Sequence, residues 1–109
     1  MLSIYDIGGE VVKEDDRYIV KDNTELKNLV VSSTRLHPGK STTGHKHEGQ
    51  EEVYNFVSGW GKMQLDDEEI DVAQGDVVLI HNGVFHKVIN PSEHDDLYFV
   101  CVFEGKRHQ

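Results

Sequence analysis

Short runs of β-branched and aromatic residues alternate with turn residues along the chain, and no helical periodicity is sustained. The run EVYNFV shows the pattern clearly, because Glu52, Tyr54 and Phe56 share one face of an extended strand. Turn sequences such as HPGK, SGWGK and NPSE separate the runs. The pattern predicts an all-β protein. Its strands are expected at Arg17–Lys21, Leu29–Leu36, Gly44–His47, Glu52–Val57, Lys62–Leu65, Glu69–Val72, Val77–His81, Phe85–Asn90 and Leu97–Phe103.

The last of these runs, LYFVCVF, is apolar on both faces, which predicts a strand that is covered on both sides. The second cover is either a partner subunit or the other sheet of the same chain. Since a small domain buries a limited fraction of its surface, we expect a homodimer with Leu97–Phe103 or the N-terminal strands near the interface.

Composition and charge argue against several classes of function. The chain has 109 residues, of which 37% are hydrophobic, and a net charge of −9. This fits one globular domain whose acidic surface disfavours nucleic acid. No apolar run is long enough to span a membrane. The start of the chain lacks the features of a signal peptide, and the single Cys101 fits a reducing compartment, so we expect a cytoplasmic protein.

The stretch GHKHEGQEE carries the first sign of chemistry. In an extended segment His45 and His47 project to one face while Lys46 points away. Neutral imidazoles are good ligands for divalent first-row metals. A single His-x-His pair is also compatible with exposed, unliganded histidines, so the pair alone leaves both interpretations open.

Two longer motifs extend this stretch. GKSTTGHKHEGQEEVYNFVSG (residues 39–59) has the order Gly, five residues, His-x-His, Glu, six residues, Gly, and GDVVLIHNGVFHKVIN (residues 75–90) supplies His86 and Asn90. Together they resemble the two motifs of the cupin superfamily, with His81 in place of the usual proline of the second motif. The resemblance implies a single cupin domain over residues 1–109, folded as a double-stranded β-helix, the cupin jelly-roll barrel.

The resemblance also implies a metal site. Its ligands by position are His45, His47, Glu52 and His86, with Glu51 as a rival for Glu52. Such a set suits one divalent transition metal (Mn, Fe, Ni, Co, Cu or Zn) and leaves coordination positions open for a small-molecule substrate.

Four further residues are candidates for a role near this site. Tyr54 is expected on the metal-facing side of its strand, as a catalytic group or as an aromatic that fills the barrel, and Glu51 is a second catalytic candidate. Arg35 either anchors an anion or forms an outward salt bridge, and His81 either reaches the pocket mouth or faces solvent.

The stretch TTGHKHEGQEEVYNFVSGWGKMQL is also similar to cupin-type phosphoglucose isomerases. This likeness favours a metal-dependent isomerase that acts on a sugar or another hydroxy-carbonyl compound. The alternatives are an Fe-dependent oxygenase of the dioxygenase type and a non-catalytic cupin that binds a sugar or another small molecule.

Overall fold

The computed structural model describes residues 1–105, and the prediction of an all-β protein is confirmed there. None of these residues belongs to a helix that could cross a membrane. The strands are β1 (Glu10–Glu14), β2 (Tyr18–Asn23), β3 (Leu29–Leu36), β4 (Glu52–Ser58), β5 (Trp60–Leu65), β6 (Glu68–Ala73), β7 (Val77–Ile80), β8 (His86–Ile89) and β9 (Leu97–Glu104).

The strands form two antiparallel sheets that share one core. The larger sheet has the order β1-β2-β3-β9-β4-β7, and the smaller has the order β6-β5-β8. Phe56 and Phe99 from the larger sheet pack in one cluster with Met63 and Val88 from the smaller sheet. Removal of these apolar side chains from water holds the two sheets together and produces the jelly-roll barrel.

Eight of the predicted strands match the structure to within two residues at each end, and two differences remain. The segment Gly44–His47, expected as a strand, makes only an isolated bridge between His45 and His86. Gly44 has a φ of 85°, which takes the backbone out of the extended region. Strand β1 was not predicted, because its charged residues lack a clear apolar alternation.

Strand β9 is covered on both faces, as predicted, and the chain itself supplies both covers. Leu97 and Phe99 face the main core, while Tyr98 and Val100 belong to a second cluster. In that cluster they pack with Ile7, from the segment before β1, and with neighbouring side chains of the larger sheet. Within the described residues, this second cover comes from the N-terminal segment and the larger sheet of the same chain.

Asn90, the last residue of the second motif, joins three segments at one end of the barrel. Its side chain is 1% exposed. Nδ2 donates to the carbonyl oxygens of Leu36, His37 and Asp95 at 3.0, 3.2 and 2.8 Å, and Oδ1 accepts from the N–H of Ser92 at 3.1 Å. An amide has both the donors and the acceptor that this position requires, which explains asparagine here.

Replacement of Asn90 by Ala should lower the free energy of unfolding by about 2 kcal/mol or more, because buried carbonyls lose their donor. Urea denaturation at neutral pH measures the change. The exposed Asn28 is the matched control, and Asn28→Ala should stay within about 0.5 kcal/mol of the wild type. Equal losses in the two variants would contradict the role assigned to the Asn90 network.

Candidate metal centre

The predicted metal-binding residues come from both sheets and from the loop between β3 and β4. His45 and His47 lie in that loop, Glu52 begins β4 in the larger sheet, and His86 begins β8 in the smaller sheet. The backbone N–H of His45 donates to the carbonyl of His86 at 3.1 Å, and the reverse bond is 3.0 Å long. This pair of hydrogen bonds fixes the loop against β8, which brings the side chains to one place.

The four side chains lie close together. Ligand atoms of His45, His47 and Glu52 all lie within 4.8 Å of one another. Oε1 of Glu52 is 3.6 Å from Nε2 of His45 and 3.3 Å from Nε2 of His86. The ring centroid of His45 is 4.5 Å from that of His47 and 4.3 Å from that of His86. The structure thus collects three imidazoles around one carboxylate.

His86 is oriented by its own backbone neighbourhood. Its Nδ1 lies 3.0 Å from the carbonyl oxygen of Val84, and because a carbonyl only accepts, Nδ1 carries a proton. Nε2 is buried and has no hydrogen-bond partner among residues 1–105. A buried, unpaired lone pair fixed by a hydrogen bond on the other ring nitrogen is the usual state of a metal-binding imidazole. The residues present therefore fit a divalent metal.

Glu52 is an ionised carboxylate in a buried position. Its side chain is 7% exposed. Burial acts to raise the pKa of this carboxyl, but the neighbouring imidazoles of His45 and His86 outweigh burial and lower the pKa from 4.5 to about 2. The carboxylate therefore remains charged under ordinary conditions, as a metal ligand must be.

Glu51, the rival of Glu52, lies elsewhere. It is exposed and does not line the cavity beside the histidines; it borders a surface depression that Glu52, Val53 and Val102 also line. Adjacent residues of an extended chain point to opposite sides, so only one of the two glutamates faces the histidines. In this structure that residue is Glu52.

A cavity of about 280 Å³ opens beside the cluster, and His45, His47 and Glu52 form part of its wall. Hydroxyl-bearing side chains line it as well (Ser32, Thr34, Thr42, Thr43 and Tyr54). Tyr54 is 6% exposed, stacks on Phe99 with ring centroids 5.5 Å apart, and lies 5.7 Å from the ring of His86. Tyr54 thus packs in the barrel and also borders the cavity.

Arg35 and His81 lie apart from this cavity. The guanidinium of Arg35 is 3.6 Å from the Asp96 carboxylate and lies over the ring of Tyr98, which is the outward salt bridge considered from the sequence. His81 is exposed and borders a surface depression with Leu79 and Val84.

Lys13 lines the cavity too, although the sequence analysis gave it no role. Its strand carries mostly charged residues, and a register irregularity beside Lys13 breaks the alternation from which its orientation would be read. The one sequence feature that indicates this placement is the charged run EVVKEDD, provided that it is recognised as a strand that pairs with the strand after it.

Comparisons with known proteins agree with the fold. A family model described as Cupin domain matches residues 32–103, so the chain belongs to the cupin family. It is 30% identical over 95 residues to a protein of Thermotoga maritima named oxalate-binding protein, covering 87% of this chain and 78% of the relative.

Solved structures show the same architecture. A predicted oxalate decarboxylase from Thermotoga maritima superposes with a TM-score of 0.72 and 27% identity, covering 80% of this chain and 79% of the other. KdgF from Halomonas sp. superposes with a TM-score of 0.77 at 17% identity, covering 90% and 89%, which supports the fold alone.

The lowered pKa of Glu52 gives the pH dependence of stability a definite sign in metal-free protein. Such a carboxyl contributes stability above its usual pKa of 4.5, and this contribution is lost as the pH falls through the folded value of about 2. Between these values the free energy of unfolding should fall more steeply in the wild type than in Glu52→Gln. Urea denaturation at several pH values tests this, with Glu51→Gln expected to keep the wild-type slope. Parallel profiles for wild type and Glu52→Gln would contradict the assignment.

Proposed function

We propose that this cupin holds one divalent transition metal through His45, His47, Glu52 and His86. The observation that carries the proposal is the Nε2 atom of His86, which is buried, without a hydrogen-bond partner in the described part of the chain, and 3.3 Å from the Glu52 carboxylate. Nitrogen and oxygen donors in this proportion suit Mn, Fe, Ni, Co, Cu or Zn.

Different residues would orient the ligands of the proposed site and supply its negative charge. Val84 fixes the His86 ring, and the backbone pair between His45 and His86 fixes the loop that carries His47. Glu52 supplies a negative charge that the buried cluster needs to hold a cation. When bound, the metal would supply a Lewis acid for oxygen donors of a ligand.

The ligand is proposed to be a small compound with two adjacent oxygen donors. A cavity of about 280 Å³ lies next to the cluster, and its hydroxyl side chains offer hydrogen bonds to a polar molecule. The relative named oxalate-binding protein supports this class, because the carboxylates of oxalate are adjacent oxygen donors.

The proposed reaction is an isomerisation of a sugar or another hydroxy-carbonyl compound, in which the Tyr54 hydroxyl moves a proton. Tyr54 borders the cavity and its ring lies 5.7 Å from that of His86, on the same wall as the proposed ligands. The second candidate is binding without turnover, which the name of the oxalate-binding relative favours.

The protein is also proposed to be a homodimer that associates through its N-terminal segment. Since β9 is covered within the chain, the exposed apolar side chains of Leu2, Ile4 and Tyr5 are the surface that a second copy would remove from water.

Substitution of the two neighbouring glutamates tests the metal site. Glu52→Gln should weaken metal binding by about tenfold or more, since loss of even an indirect partner of a metal ligand costs about 10–100-fold. Glu51→Gln, which makes the same chemical change one residue away, should bind as the wild type does. Elemental analysis after dialysis, followed by titration with Co²⁺, measures both. Equal metal affinity in the two variants would refute the site.

Proton exchange tests the isomerase function. Metal-loaded wild type should exchange the hydrogen next to the carbonyl of its hydroxy-carbonyl substrate with deuterium oxide, which proton NMR detects across a panel of small sugars. Tyr54→Phe should lower that rate by about 100-fold or more with metal content unchanged. Absence of exchange in the wild type, together with measurable oxalate binding, would favour the non-catalytic candidate.

Light scattering at micromolar concentration tests the dimer and should give twice the chain mass of 12.4 kDa. Ile4→Asp should shift the population toward the single chain, because a charge would be buried at the interface. Leu26→Asp, at a similarly exposed leucine outside this segment, should leave the mass unchanged. A wild-type mass equal to one chain would exclude the dimer.

A further inference from the structure

Strand β1 contains a β-bulge that determines where Lys13 points. Val11 pairs with Lys21 and Lys13 pairs with Val20, so Val12 is an extra residue on the edge strand. Without the bulge, Val12 would pair with Val20 and Lys13 with Ile19.

The partner of Lys13 determines on which face of the sheet its side chain lies. Cross-strand partners point to the same side of a sheet, and Val20 is 4% exposed within the main core cluster. Ile19 instead borders a depression on the outer surface, together with Lys21 and Arg35. The bulge therefore turns the Lys13 side chain from the outer surface into the barrel.

Inside the barrel Lys13 lines the same cavity as His45, His47 and Glu52. Within the described chain it is the only lysine or arginine on that wall. Its ammonium group forms no ion pair with a carboxylate of residues 1–105, whereas Lys21, Lys40 and Lys62 each lie within 4 Å of one. An ammonium group on a cavity wall that forms no ion pair within the chain can pair with an anionic group of a ligand that enters the cavity.

We propose that Lys13 is the anion-binding residue of the cavity and that the natural ligand is a small organic carboxylate. The inference rests on the proposed metal-dependent function: oxygen donors of the ligand face the histidine cluster, and a carboxylate of the ligand pairs with the Lys13 ammonium. Among the hydroxy-carbonyl compounds of the proposed function, this ammonium favours those that carry a carboxylate over uncharged ones.

Calorimetric titration of Co²⁺-loaded protein with oxalate, malonate and malate, and with uncharged malonamide, tests the proposal. Lys13→Met should weaken binding of the carboxylates by about 10–100-fold, the value of a charge-assisted hydrogen bond, and leave malonamide unchanged. Lys13→Arg should retain most of the affinity.

Two matched variants separate position from net charge. The double substitution Val12→Lys, Lys13→Val keeps composition and charge but moves the ammonium by one residue, and it should bind carboxylates as weakly as Lys13→Met. Lys27→Met removes an exposed lysine from the loop before β3 and should bind as the wild type does.

The proposal is overturned if Lys13→Met binds the carboxylates as tightly as the wild type, if malonamide weakens equally, or if no carboxylate binds the wild type. Elemental analysis of each variant keeps the two hypotheses apart. If the wild type retains no metal, the proposed function fails on its own, and the same titrations of metal-free protein still decide whether Lys13 forms an anion subsite.

Discussion

The buried carboxylate of Glu52 constrains much of the structure around it. A charge that is 7% exposed needs polar or charged groups close by, and the nearest are the imidazoles of His45, from a loop, and His86, from the other sheet, at 3.6 and 3.3 Å. The loop must therefore remain attached to β8, which the paired backbone hydrogen bonds between His45 and His86 achieve. The contacts between the Glu52 carboxylate and these imidazoles thus connect both sheets at the wall of the cavity.

The same constraint explains the proposed chemistry. In the absence of metal, the cluster holds one negative charge and a buried ring nitrogen of His86 that has no hydrogen-bond partner in the described chain. A divalent cation would satisfy both groups at once. Because the cavity lies directly beside these atoms, a site assembled in this way is open to a ligand rather than closed around its metal, which distinguishes a functional centre from a structural one.

Much of the fold and the candidate cluster was predictable from the sequence, for identifiable physical reasons. Strands such as EVYNFV bury one face or both, so their apolar residues follow a regular pattern that can be recognised in the sequence. The spacing of His45, His47, Glu52 and His86 is local within two motifs, so the set follows from the resemblance without knowledge of the tertiary contacts. Asn90 and Gly59 are also positions of these two motifs, although their reasons are tertiary: Gly59 has a φ of 91°, and a Cβ there would lie 2.5 Å from the carbonyl oxygen of Asp96.

Features that depend on pairing between distant or irregular segments were not predictable. Part of the cover over the outer face of β9 comes from Ile7, about 90 residues earlier in the chain, and this contact cannot be inferred from the periodicity of either segment. The conformation of Gly44–His47 depends on a positive φ at Gly44 and on hydrogen bonds to β8. Strand β1 escaped prediction because an edge strand carries charged residues, and because its bulge interrupts the alternation at Lys13.

The bulge in β1 has a consequence for how such a protein can change over evolutionary time. Insertion or loss of one residue in an edge strand shifts every following side chain to the other face of the sheet. Since β1 pairs only with β2, such a shift would leave the central strands and the histidine cluster in place. The number of residues in β1 therefore determines which of its charged side chains points into the barrel, without a change in the central strands. A single codon gained or lost before Lys13 would thus turn its side chain away from the barrel while the histidine cluster keeps its place.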